Sequence, residues 1–168
     1  RQRQMCIRDS YVCPGELIFG ADSHTCSYGA LGAFGTGVGC TDLLYGMVTG
    51  KSWVLVPETV KFNLVGKLPE GVYARDLILT IIGTIGANGC NYQVMEFTGE
   101  GAKTLSISER MVLCNMAVEA GAKTGIFEPD EKAIEYLEAH GRKPKALFTS
   151  DPDAVYALSL IHISEPTR

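Results

Sequence analysis

Between Thr59 and Ala139 the hydrophobic pattern switches repeatedly from a period of two to a period of about 3.6, and that alternation restricts the fold most. "TVKFNLVG" sets Val60, Phe62 and Leu64 against Lys61 and Asn63, as in a half-buried strand. Residues 74–86, "ARDLILTIIGTIG", read as a largely buried helix ended by Gly86 and Gly89. "YQVMEF" is a second strand and carries Glu96. Ser106-Ile107-Ser108-Glu109 is a capping box, in which serine and glutamate each satisfy a backbone N–H beside the other; it opens a helix through Ala120 that Gly121 stops. "TGIF" is a third strand, and Asp130 caps the helix "EKAIEYLEAHG". Strands and helices in such alternation build parallel α/β units, because parallel strands need a crossover between them.

The first part of the chain is built from shorter pieces. Residues 16–21 read as a short buried strand running into Asp22. Gly29, Gly32, Gly35, Gly37 and Gly39 follow, and glycines permit close backbone approach. They are no dinucleotide fingerprint, since G-x-G-x-x-G from Gly35 would need glycine where Cys40 stands. Thr41 or Asp42 is placed to cap a helix to about Thr49, with Gly50 as its stop. Trp53 to Val56 reads as a strand that Pro57 ends. The Pro57–Glu58 region is the candidate boundary between two α/β units, residues 11–57 and residues 58–158. Residues 1–10, "RQRQMCIRDS", and 159–168, "SLIHISEPTR", lack matching periodicity or caps and resemble translated sequencing-adapter sequence. They are set aside, His162 with them.

Composition removes several classes of function. Of 168 residues 46% are apolar and 20% charged, which supplies a core and excludes a disordered or fibrous chain. The net charge is −4 and no Lys/Arg cluster interleaves with aromatics, so nucleic acid is not the expected partner. Apolar runs are broken by Gly, Asp or Lys well short of the roughly 20 residues of a membrane helix, and no secretory signal is legible. The six cysteines, Cys6, Cys13, Cys26, Cys40, Cys90 and Cys114, stand singly, with no C-x-x-C pair and no histidine at zinc-finger spacing. They read as reduced, mostly buried thiols of a cytoplasmic protein, and no metal ligand is assigned among them.

"FGADSHTC" concentrates chemistry at the end of the first strand. Ligands of open parallel sheets sit outside the carboxyl ends of strands. Asp22, Ser23 and His24 are consecutive, so their side chains diverge and cannot form a relay among themselves. Two readings stay open: the three point at different parts of one polyanion, or Asp22 and Ser23 satisfy backbone donors of the next turn. Glu96, late in a mostly apolar strand, is costly there unless paired. It is a natural partner for His24, one of three histidines, whose orientation and charge such a pair would hold.

"PGELIFGADSHTCSYGALGAFGTGVGCTDL", "KSWVLVPETVKFNLVGKL", "MEFTGEG" and "MAVEAGAKTGIFEPDE" together resemble the aconitase superfamily, over about residues 11–157, nearest the large subunits of its two-subunit hydroxy-acid dehydratases. The resemblance implies an α/β fold of three α/β/α layers with mostly parallel sheets, of which this chain is an internal fragment holding pieces of two adjacent subdomains. It implies a hydro-lyase that shifts a hydroxyl between adjacent carbons of a di- or tricarboxylic acid, as in leucine biosynthesis. Isopropylmalate is the first expected substrate, with homoaconitase-type and methylmalate or citraconate hydro-lyases as alternatives. A catalytically silent binding or regulatory relative is the alternative of another class. By motif, Asp22, His24 and Glu96 take the family's catalytic positions and Ser23 its substrate contact. The resemblance implies that His24 and Glu96 approach to hydrogen-bond or ion-pair distance, about 4 Å or less, and that Asp22, whose histidine partner would lie in an earlier segment, turns to backbone donors or water. The family's cofactor is a [4Fe–4S] cluster on three cysteines of later motifs absent from this chain, and its partner is a small subunit.

Overall fold

The computed structural model describes residues 12–144, 147–151 and 153–161. The expectations for residues 1–10 and 162–168, with Cys6 and His162, concern residues outside these. Strand β1 (Leu17–Gly20) pairs in parallel with β2 (Phe34–Gly37), Leu17 opposite Phe34 and Gly20 opposite Gly37. Their crossover is a 3₁₀ segment, Ser23–Leu31. Helix α1 (Cys40–Thr49) follows. The second sheet runs β5 (Thr124–Phe127), β4 (Val94–Thr98), β3 (Thr59–Asn63), β6 (Leu158–Ile161), all parallel. Helices α2 (Ala74–Ile85), α3 (Glu100–Thr104), α4 (Ile107–Met116) and α5 (Glu131–Ala139) connect or flank these strands. The parallel α/β class expected from the alternating periods is the one observed.

The core lies on one face of the second sheet. Val60, Phe62, Met95, Phe97 and Phe127 are buried there with Leu77, Ile78 and Ile81 of α2 and Leu113 and Cys114 of α4. Phe97 links the sheet laterally, its ring 5.7 Å from Phe62 and 5.1 Å from Phe127. The alternate positions Lys61, Glu96 and Ile126 are aligned across β3, β4 and β5 and are only half-buried. A smaller cluster of Val12, Leu31, Ala33, Ile107, Ala133 and Leu137 joins the first part of the chain to α4 and α5.

Two glycines let the parts meet. A Cβ on Gly29 would stand 1.7 Å from the Gly125 carbonyl oxygen, and a Cβ on Gly125 would stand 2.8 Å from Cys114 Cα. The 3₁₀ segment, β5 and α4 are thus in backbone contact, which no larger residue at either position permits.

Several local expectations need correction. β1 is half-exposed, with Leu17 open to solvent, because one parallel neighbour covers little of it. The N-cap of α1 is Gly39, without a side-chain cap, rather than Thr41 or Asp42; Gly50 does stop it, at φ 68°. Trp53–Val56 is not a strand: among the described residues no ladder partner lies beside it, and it is exposed. Helix α2 buries one face, Ala74, Leu77, Ile78 and Ile81, rather than most of its surface. The helix from Ser106 ends at Met116, and a 3₁₀ turn, Ala117–Ala120, reaches Gly121. Residues 159–161, set aside from the sequence, fall in β6, whose backbone pairs with β3.

Sequence patterning did not reveal the Arg110–Asp130 pair. Asp130 caps α5 by accepting from the Ala133 N–H at 3.1 Å, as expected. It also accepts both Nη groups of Arg110, at 2.8 and 2.5 Å. Arg110 is only 1% exposed, so this is a guanidinium buried with its counter-charge. Burial alone would raise the Asp130 pKa, but the Arg110 and Ala133 hydrogen bonds and the charges of Arg110 and Lys132 outweigh it and hold the carboxyl below its ordinary value.

Candidate functional site

Asp22, Ser23 and His24 are exposed, while the next three residues, Thr25, Cys26 and Ser27, are buried and anchor them. Asp22 is the N-cap of the 3₁₀ segment: its Oδ1 accepts the His24 N–H at 2.8 Å. Its carbonyl accepts the Thr25 hydroxyl at 2.6 Å and the Thr25 N–H at 3.1 Å. Asp22 is therefore occupied by backbone donors. Ser27 donates its hydroxyl to the His24 carbonyl at 2.8 Å and accepts from Asn115 Nδ2 at 2.9 Å. The loop is tied to α4 by side chains and to β5 by the close approach of Gly29 to Gly125.

His24 Nδ1 lies 3.3 Å from the carbonyl oxygen of Asn115. A carbonyl only accepts, so Nδ1 carries the hydrogen, and in the neutral ring Nε2 keeps its lone pair. Asn115 lies in the last turn of α4, where carbonyls run out of intrahelical N–H partners. His24 supplies one. The single S–H of Cys26 is shared, Sγ standing 3.5 Å from the same oxygen and 3.4 Å from the Ser23 carbonyl oxygen. Burial, with a smaller contribution from the Asp22 charge, pushes the Cys26 thiol up to about 11 against the backbone hydrogen bonds that lower it. Burial likewise raises Cys114. With no metal bound, burial keeps both as thiols at neutral pH, so neither is an activated nucleophile. Among the described residues no three His, Cys, Asp or Glu side chains converge as a metal-ligand set. The described residues therefore do not fit a [4Fe–4S] cluster.

Ser23 lines an open cleft of about 1000 Å³, with Thr36 and Asp42 on one side and Trp53, Tyr92 and Lys123 among its other walls. Glu96 is elsewhere. It lines a separate cavity of about 280 Å³ with Phe34, Ile126, Glu128 and Ser150. Its carboxylate accepts from Ser150 Oγ at 3.3 and 3.4 Å and from Tyr156 Oη at 3.3 Å. Lys61, opposite Glu96 in register, donates to the Tyr156 hydroxyl at 3.3 Å and stands 4.5 Å over its ring. The expected His24–Glu96 ion pair is therefore not formed. The imidazole is committed to the end of α4 and the carboxylate to Ser150 and Tyr156. Asn115 immediately precedes the quoted stretch that opens at Met116, and its part in the site was not legible, because a backbone acceptor has no signature in residue type.

The model of the aconitase family (aconitate hydratase) matches residues 4–163. The chain belongs to the aconitase family. Within that family it is 57% identical over 146 residues to the 3-isopropylmalate dehydratase large subunit of Heliobacterium modesticaldum, covering 87% of this chain and 35% of that protein. Identity to the 3-isopropylmalate dehydratase large subunit 1 of Pyrococcus furiosus is 58% over 145 residues, 86% of this chain and 34% of the relative. The probable 3-isopropylmalate dehydratase large subunit of Methanothermobacter thermautotrophicus is 53% identical over 151 residues, 90% and 36% of the two chains. This aconitase-family chain thus spans about a third of the length of the curated relatives it matches. Among its described residues no helix is long and apolar enough to cross a membrane.

Proposed function

We propose that the chain is part of the large subunit of a cytoplasmic hydro-lyase that interconverts 2- and 3-isopropylmalate by dehydration and rehydration, assembled with a small subunit. Relatives of that name support the reaction. The observation that carries the reading to particular atoms is Ser23 at the edge of the large cleft, next to a histidine whose tautomer is fixed by a backbone carbonyl. In this reading Ser23 hydrogen-bonds the substrate. His24 takes and returns a proton at Nε2, the nitrogen that its Nδ1–H contact leaves available. Asp22 acts by holding the turn from which both project. Glu96 lines its own cavity, held there by Ser150 and Tyr156 and apart from Ser23 and His24, and takes no step in this reading. The family's [4Fe–4S] cluster, which supplies Lewis acidity to the substrate hydroxyl, would be held by parts of the longer polypeptide that this chain does not contain.

The test is isomerisation of isopropylmalate by the longer protein reconstituted with its small subunit, followed by absorbance of the unsaturated intermediate acid. His24→Gln should lower kcat by about a hundredfold or more, the scale of general acid–base catalysis. Ser23→Ala should act mainly on KM. Wild-type turnover of a different hydroxy acid in preference to isopropylmalate, or a His24→Gln enzyme with unchanged kcat, overturns the reading.

A further inference from the structure

The cleft beside Ser23 contains one cation among its described lining residues, Lys123, and one anion, Asp42. Their situations differ. Asp42 lies in the first turn of α1, where the helix N-terminus offsets a negative charge. Lys123 has no carboxylate within ion-pair distance among the described residues; its ammonium stands 4.9 Å from the centre of the Tyr92 ring. It is half-buried, so its charge is partly withdrawn from water without a counter-charge.

The backbone holds this pair in place. Tyr92 N–H donates to the Gly121 carbonyl at 3.0 Å, and Lys123 N–H donates to the Gln93 carbonyl at 2.9 Å. Tyr92 adopts φ 60°, a left-handed conformation uncommon for a non-glycine residue. The loops before β4 and β5 are thus stitched together, and the stitch presents Lys123 and Tyr92 to the cleft. Hydroxyl-bearing residues Ser23, Thr36, Thr41 and Ser52 line the same space.

We infer that Lys123 is a carboxylate-binding, specificity-determining residue of this cleft: its ammonium takes one carboxylate of a hydroxy dicarboxylate, while the Ser23 side supplies hydroxyl donors. The inference rests on the reading of the cleft as the substrate's site. An ammonium without a carboxylate partner among the described residues, in a cleft that also offers hydroxyl donors, selects an acid over its amide or ester, since only the ionised group gives a charge-assisted bond. Tyr92 limits the directions in which the ammonium is offered, which lowers the entropy cost of binding.

Two measurements test this in the longer protein with its small subunit, using isopropylmalate as substrate and succinate as a non-reacting dicarboxylate probe. Lys123→Gln should raise KM for isopropylmalate and the inhibition constant of succinate by about ten- to a hundredfold, with kcat within about threefold of wild type. Lys123→Arg should restore most of the loss. Independently of any variant, saturating succinate should protect Lys123 from acetylation by an amine reagent, read by peptide mass spectrometry. Neither constant changing in Lys123→Gln, or equal acetylation with and without succinate, overturns the inference. If Lys123→Gln fails to assemble, the acetylation result decides. A protein inactive on isopropylmalate that still shows succinate protection of Lys123 would sink the proposed reaction and keep the carboxylate site. Full activity with no effect at Lys123 would do the reverse.

Discussion

Helix α1 with the following segment and the β3–β5 sheet with its helices are both rich in apolar residues, yet they use them in opposite ways. In the sheet region Ile78, Met95 and Leu113 are wholly enclosed. In α1 no residue is buried; Met47 is 76% and Val48 77% exposed, and Trp53 beyond the helix is 84% exposed. The difference teaches where this chain's stability resides. Burial stabilises only where a second surface completes it. Residues 58–144 supply their own second surface, whereas α1 does not find one among the described residues. The polar loop precedes both regions in the chain and is fastened to the stable one, through Asn115 and through the Gly29–Gly125 approach.

The comparison can be broken most strongly at Asp130. Asp130→Ala leaves Arg110 buried without its counter-charge, a loss of about 3–5 kcal/mol in chemical unfolding. The same pair sets a pH signature. Because the folded-state pKa of Asp130 is depressed, its contribution is present above the unfolded value and is lost as pH falls through the folded value, below the ordinary 3.8. Wild-type stability should therefore lose an increment in that acid window that Asp130→Ala does not show. An unchanged acid limb would remove Asp130 from the account.

Next in size is the contrast of burial itself. Leu113→Ala should cost about 2–5 kcal/mol, while Met47→Ala should stay within about 0.5 kcal/mol. Equal effects in paired denaturant titrations would show that α1 is covered in solution and that the two regions do not differ as described. A destabilisation smaller than that of Leu113→Ala sharpens the link between them. Gly29→Ala sets a methyl against the backbone of β5 and should cost about 1–3 kcal/mol. It should also release the loop from α4, visible as a changed His24 imidazole resonance. A stable variant with an unaltered resonance would mean that the close approach does not hold the loop.

The parts legible in the sequence are those decided by near neighbours. Val60, Phe62 and Leu64 announce β3 by alternation, Ser106 and Glu109 announce α4 through their reciprocal bonds, and Asp130 announces α5. Trp53–Val56 has strand composition, but a strand is made by a neighbouring chain, and none is beside it among the described residues. The site divides along the same line. That Asp22 would turn to backbone donors follows from turn chemistry within two or three residues. The partners of His24 and Glu96 depend on which elements tertiary packing brings alongside. Residue type pointed to one another, and packing supplied Asn115, Ser150 and Tyr156 instead.

The acceptor that fixes His24 belongs to the peptide of residue 115 rather than to a side chain. Every non-proline amino acid at that position would offer the same oxygen, so codon changes at 115 can erase the amide link to Ser27 but not the contact that selects the imidazole tautomer. Only a change that moves the end of α4, such as an insertion in its last turn or a proline there, detunes the histidine. That protonation pattern is thus shielded from most point mutation and exposed to rearrangement of the scaffold. Drift in this protein can then alter the shape of its cleft more readily than the tautomer of His24.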